Sequence, residues 1–169
     1  HIIVGENDYI DDDKIDLTAM QEDLSSYKGK TSTSSPSPHE WENAFGDADV
    51  VFCITITSAL SGTYNSAVIA KDIYEQNHIG RKVYVLDSLS TGPEIALFIE
   101  KIAELIKAGF APDDIYKTLL EYKDKTHLYF SLASLNNFAK NGRISPVIAA
   151  GIGLLGVRVV GKASDEGTL

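Results

Sequence analysis

An apolar run, Val50-Val51-Phe52-Cys53-Ile54-Thr55-Ile56, gives way abruptly to a small hydroxylic cluster, Ser58-Ala59-Leu60-Ser61-Gly62-Thr63. The run is β-branched and far too short to cross a membrane, so it reads as a strand covered on both faces, as in a parallel sheet. Tyr64 to Tyr74 then reads as a helix, with Ala67, Ile69, Ala70 and Ile73 on its packed side. The same order recurs: Lys82–Asp87 as a strand, Ser88–Pro93 as a hydroxyl-rich turn, and Glu94–Lys107 as a helix. That second helix places Ile95, Phe98, Ile99, Ile102, Leu105 and Ile106 at helical spacing. Two strand-turn-helix units in series predict an α/β fold, a mainly parallel sheet with helices on both faces. Ligands of such sheets collect at the carboxyl ends of strands. Helix N-termini there offer free N–H groups and partial positive charge to an anion. Ser58 to Thr63 is therefore where a ligand is expected.

The flanking segments read as follows. Ile2–Gly5 and Tyr9–Ile10 form a hairpin turning at Glu6–Asp8. Asp16 or Thr18 caps a helix from Ala19 to Tyr27. Residues 31–38, TSTSSPSP, are either a flexible Ser/Pro linker or a ligand loop. They run into a helix start in which Ser37, Pro38 and Glu40 spell a capping box, with Trp41, Ala44 and Phe45 on the apolar side. Pro112 and Asp113-Asp114 open a helix that continues through Ile115–Lys123, and Leu128–Leu132 is a strand. Ser134 caps a short helix through Ala139. Asn141-Gly142 turns the chain, Ile144–Leu155 is an apolar helix, and Val157–Val160 is a last strand.

Composition narrows the function. The charge is 15 − 24 = −9 with a pI near 4.8, which argues against a nucleic-acid partner, whose phosphates need a basic face. No apolar run approaches the ~18 residues of a membrane span. The single cysteine, Cys53, lies mid-strand, which gives neither a disulfide framework nor a CxxC metal site and reads as a buried, inert thiol. No signal peptide is visible, and the start at His1 rather than Met reads as a piece of a longer protein. The histidines His1, His39, His78 and His127 have no metal-ligand spacing.

Two motifs invite enzymatic readings. Gly151-Ile152-Gly153-Leu154-Leu155-Gly156 matches G-x-G-x-x-G, but it ends an apolar helix and precedes a strand, the reverse of the dinucleotide context. Ser61, Asp87 and His127 follow the hydrolase order, but Ala59 stands where a nucleophile elbow has glycine. A serine hydrolase built on Ser61 and a ligand-free interaction domain remain the alternatives to a binder of a small anionic group. Hydroxyls and N–H groups can hold a carboxylate without a full counter-charge. Asn141-Gly142-Arg143-Ile144-Ser145 reads either as a solvated turn before a capped helix or as an anion contact.

Three stretches together resemble the DegV family of bacterial fatty-acid-binding proteins that serve fatty acid kinase. Thr33-Ser34-Ser35-Pro36-Ser37-Pro38 is similar to the family's T-S-x-P-S-P loop. Ser58-Ala59-Leu60-Ser61-Gly62-Thr63-Tyr64-Asn65-Ser66-Ala67 is similar to its S-S-x-L-S-G-T-Y-x-S-A turn, with Thr57 for the usual first serine. Asn141-Gly142-Arg143-Ile144-Ser145 is similar to its K-G-G-R-I-S turn, and Val85-Leu86-Asp87-Ser88 to its V-I-D-S strand end. The resemblance implies a cytoplasmic carrier that performs no chemistry and needs no cofactor or metal. It implies a long-chain fatty acid whose carboxylate is bound by Thr33 and Ser61, with Ser34, Ser58, Gly62, Thr63 and Arg143 as neighbouring ligand contacts, and whose chain lies in an apolar tunnel. A fatty acid kinase subunit is the implied partner, and the acyl phosphate would enter phospholipid synthesis. Residues 1–169 would then be one DegV-like α/β domain, incomplete because the family's first strand and second domain are missing.

Overall fold

The computed structural model of the chain describes residues 1–132, 135–144 and 159–168. They fall into two compact units, one of His1–Ser35 with Ser131–Val160, the other of Pro36–Phe130 with Gly161–Leu169.

In the first unit, β1 (Ile2–Val4) lies between β2 (Asn7–Tyr9) and β3 (Ser32–Thr33), antiparallel to both. Pairing of Val4 with Asn7 leaves Gly5-Glu6 as a two-residue turn, and Gly5 takes a φ of 64°. Such a tight turn needs a residue tolerant of positive φ and starts the return strand at once. This is why the second strand occupies Asn7–Tyr9 rather than the expected Tyr9–Ile10. Helix α1 (Leu17–Ser26) starts two residues before the expected Ala19, because the Asp16 carboxylate accepts from the Ala19 N–H at 3.0 Å. Tyr9 donates its hydroxyl proton to Asp23, which also receives Asn7 Nδ2 at 2.6 Å. The hairpin is thereby tied to α1. The bond to Asp23 pushes the Tyr9 phenol up to about 12, and the same bond holds the Asp23 carboxyl below its ordinary range. Ser32 and Thr33 of the Ser/Thr/Pro stretch pair with β1, so this part is sheet rather than linker. Leu135 is buried just ahead of α6 (Asn136–Lys140), and residues 141–142 turn as expected. The expected Ser134 cap, the apolar stretch from 145 to 155, the G-x-G-x-x-G match and the start of the last strand at 157 lie outside the described residues.

The second unit is built on β4 (Val50–Thr55) and β5 (Lys82–Asp87), parallel and in register from Val50–Lys82 to Thr55–Asp87. Side chains of a strand alternate between faces, and here the alternation divides the core in two. Cys53, Val83 and Val85 pack with Phe45 of α2 (Pro38–Phe45) and with Ala67, Ala70 and Tyr74 of α3 (Thr63–Asn77). Phe52, Ile54 and Leu86 pack with Phe98, Ile102 and Leu105 of α4 (Gly92–Lys107) and with Ile115 and Leu119 of α5 (Pro112–Lys123). Helices therefore cover both faces of a parallel pair, as the strand-turn-helix pattern implies. The strands β6 (Tyr129–Leu132) and β7 (Val159–Lys162) form a further two-stranded sheet.

The helix stripes are narrower than the apolar residues suggest. Helix α3 buries Thr63, Ala67, Ala70 and Tyr74, leaving Ile69 and Ile73 exposed, and α4 buries Glu94, Phe98, Ile102 and Leu105 while Ile99 and Ile106 face out. One flat strand pair accepts one row of side chains at i, i+4, i+7 or i+8; the flanking isoleucines lie past its edge. The capping box of α2 closes as expected: Ser37 N–H donates to Glu40 at 2.7 Å, and Glu40 N–H donates to Ser37 Oγ at 3.3 Å.

Cys53 is buried, and burial pushes its thiol up to about 12, so it is inert at neutral pH. Tyr84 stacks on Phe52 with centroids 5.1 Å apart and donates to Asp113 of α5. Burial, and then the bond to Asp113, pushes its phenol up to about 12. A free tyrosine ionises near 10. The folded state therefore favours the neutral phenol. That contribution to stability is complete below roughly pH 10 and is lost as pH rises through about 12. A spectrophotometric phenolate titration is expected to show a late fraction, to which Tyr9 and Tyr84 both contribute, that shrinks by one tyrosine in Tyr84→Phe, and a late fraction unchanged by the substitution would refute this.

Candidate functional site

The two hydroxyl-rich turns after β4 and β5 are locked together by backbone and carboxylate bonds. Thr57 N–H donates to Ser90 O at 2.8 Å. Asp87, the last residue of β5, accepts from Ser58 N–H at 3.1 Å and from Leu89 N–H at 3.1 Å. Leu89 adopts a φ of 52°, unusual for a residue with a side chain. Thr57 is 1% exposed; its hydroxyl donates to Gly167 O at 2.9 Å and accepts from Ala59 N–H at 3.2 Å. Gly167, at φ 78°, must be glycine: an added Cβ would stand 2.2 Å from Thr57 Oγ1 and 3.0 Å from Leu89 Cα. Gly167→Ala is expected to displace Thr57 and lower stability by about 1–3 kcal/mol, from positive-φ strain and a lost buried bond. Urea unfolding checks this, and wild-type stability in the variant would refute it.

The turn itself presents donors. Ser61 Oγ lies 2.7 Å from Thr63 Oγ1 and accepts from Thr63 N–H at 3.3 Å. Gly62 is the N-cap of α3 and no side chain caps the helix, which leaves first-turn N–H groups and the positive end of the helix dipole to an incoming anion. Ser66 donates to Pro36 O at 2.6 Å, fixing the end of the Ser/Thr/Pro stretch to α3.

In the other unit, Arg143 donates from Nη2 to Thr33 Oγ1 at 3.1 Å, across a pocket of about 100 Å³ lined by Thr31, Ser32, Thr33, Phe138, Asn141 and Arg143. With its oxygen already accepting from arginine, the Thr33 hydroxyl has its own proton left to donate. Ser34 exchanges backbone bonds with His1, its N–H donating to His1 O at 3.2 Å and its carbonyl accepting from the His1 backbone nitrogen at 3.1 Å. The residues singled out from sequence thus form two donor sets: Thr33, Ser34 and Arg143 in one unit, and Ser58, Ser61, Gly62 and Thr63 in the other. Asp87, Thr57 and Gly167 are the residues the sequence reading did not place in this framework. Asp87 at a strand end and Thr57 beside the serine cluster carried a signal; Gly167 carried none.

The hydrolase arrangement is not assembled. Asp87 is engaged by backbone N–H groups, and His127 lines a cleft with Ser88, Glu94 and Asp165.

A model of the DegV family, described as uncharacterised proteins, matches residues 1–169. The chain belongs to the DegV family. It is 40% identical over 168 residues to a DegV domain-containing protein of Streptococcus pneumoniae, a match covering 99% of this chain and 60% of that protein. Among solved structures, this DegV chain matches a DegV family protein from Eubacterium eligens loaded with heptadecanoic acid. The TM-score is 0.95 at 40% identity, over 99% of this chain and 61% of the other. It also matches the Streptococcus pneumoniae Fatty Acid Kinase (Fak) B3 protein loaded with linoleic acid, with a TM-score of 0.96 at 40% identity, over 99% and 60%. The chain spans about 60% of the length of these relatives. No described helix is long and apolar enough to cross a membrane.

Proposed function

We propose that this DegV chain binds a long-chain fatty acid in the cytoplasm and presents its carboxylate to a fatty acid kinase. The observation that carries the reading is the likeness, over 99% of this chain at 40% identity, to two proteins solved with heptadecanoic and linoleic acid. The donor sets support it. Thr33, held by Arg143, supplies one O–H; Ser61, Thr63 and the uncapped start of α3 supply others, and none of these brings a carboxylate of its own. Ser34, Ser58 and Gly62 frame the two turns. Burying a sixteen-carbon chain at ~0.8 kcal/mol per CH₂ gives on the order of 10 kcal/mol before association costs, so the chain supplies affinity and the hydroxyls set direction. A carboxylate left without donors in apolar surroundings would be costly. The carrier itself performs no chemistry; the kinase transfers the phosphoryl group.

Organic extraction followed by mass spectrometry tests this. Purified protein incubated with a C16–C18 fatty acid mixture is expected to retain about one fatty acid per chain. A protein that carries none and refuses added fatty acid would overturn the reading.

A further inference from the structure

Among the described residues, the buried Glu94 has no side-chain hydrogen-bond or ion-pair partner. It is 6% exposed and, unlike the other buried polar side chains of its unit, which are hydroxyls, it bears a carboxyl group. The local sequence offers it a use. Thr91 is the N-cap of α4 and Glu94 is the third helical residue, the same S/T-x-x-E spacing that closes the capping box of α2. In α4 the box does not close: the cap has no side-chain hydrogen bond, and the Glu94 carboxylate lines a cleft of about 290 Å³ instead. Among the described residues nothing hydrogen-bonds or ion-pairs with it; Lys123, the one lysine of the lining, is not in ion-pair contact. The start of α4 lends partial positive charge, and Glu94 opens onto the cleft, where a donor group can reach it.

The cleft is floored by Ser88, which is 2% exposed, and rimmed by Asp124, His127 and Asp165. Its volume is several times the ~30 Å³ share of one water. Among the described residues no three His, Cys, Asp or Glu side chains converge as a metal set. A bare hard cation wants six or more oxygens, whereas an ammonium or guanidinium group needs only one or two well-placed carboxylates.

We propose that this cleft is a second binding site, in which Glu94 receives an alkyl-ammonium or alkyl-guanidinium group, borne either by a small amine or by a basic side chain. The lining carries three carboxylates, Glu94, Asp124 and Asp165, against Lys123, with Asp165 also 3.7 Å from Lys162 Nζ.

Amide chemical-shift titration of the full chain tests it, with agmatine as the free probe and acetyl-arginine-amide as the side-chain probe. Saturable shifts at Ser88, Leu89, Glu94 and Ser164 with either probe support the site, and the tighter probe names the source. Glu94→Gln keeps the shape and removes the charge, and is expected to weaken binding at least about tenfold, as for loss of one charge-assisted hydrogen bond. Asp124→Asn, on the exposed rim, is expected to change it far less. No saturation with either probe in the unmodified chain, or equal affinity in Glu94→Gln, would overturn the proposal.

Discussion

Tyr74→Ala is expected to cost about 4–6 kcal/mol of stability, enough to unfold a domain of ordinary stability. The ring is 1% exposed and meets Phe45 edge-on, with centroids 5.5 Å apart and planes at 81°. Its hydroxyl points at Gly46 O and Ala48 O, both at 2.9 Å, and accepts from Arg81 Nη1 at 3.0 Å. The Arg81 guanidinium also lies over the ring, 5.8 Å from its centroid, and the bond to Tyr74 raises the arginine's already high pKa. Truncation therefore removes an aromatic from a packed layer and strips partners from two carbonyls and a guanidinium at once. Tyr74→Phe separates the two effects: it keeps the ring and is expected to cost about 0.5–1.5 kcal/mol, the range for a hydrogen bond whose partners water can reach. Urea unfolding of both variants decides. A phenylalanine variant as stable as wild type would show that the hydroxyl contributes nothing, and equal losses in both would show that the ring does not.

Replacing Thr33 and Ser61 together with alanine is expected to weaken fatty-acid binding about 100-fold, while the unfolding midpoint stays near that of wild type. Hydrogen bonds to a charged group contribute about 1.5–3 kcal/mol each, and each factor of ten in Kd is about 1.4 kcal/mol. Two such bonds lost exceed a hundredfold on paper, and solvent donors replacing them bring the figure down. Thr33 is exposed and Ser61 half-buried, so neither substitution opens a core cavity. Titration with a fluorescent fatty acid and urea unfolding of the same preparation provide the check. Unchanged affinity would remove these hydroxyls from the head-group site, whereas lost affinity with lost stability would make their role structural.

Much of this was local and therefore legible. The run 50–56, its hydroxylic turn and the following helix are dictated by polarity and periodicity within a few residues. The Ser37–Glu40 capping box and the Asp16 cap span three residues each, so they close wherever the helix forms. The motifs around Thr33, Ser61 and Arg143 were enough to identify the family.

Other features depend on residues brought together from far apart. Arg143 reaches Thr33, and Thr57 reaches Gly167, each across 110 residues. No spacing rule predicts such pairs, because they follow from how whole elements pack. Ile69 and Ile99 carry the same apolar signal as Ala70 and Phe98, yet only the latter fall on the single row that a two-stranded sheet covers. Glu94 shows the difference most sharply. Its sequence is that of a capping glutamate, and only the packing of Ser88, Asp124, His127 and Asp165 around it turns its carboxylate into a cleft. The sequence by itself determined the elements, their caps and the family, because those rest on interactions within one or two helical turns. The tertiary structure alone decided which face is buried, which hydroxyl keeps a free proton and which carboxylate opens onto a cleft, because burial and pairing are properties of the surroundings rather than of the residue.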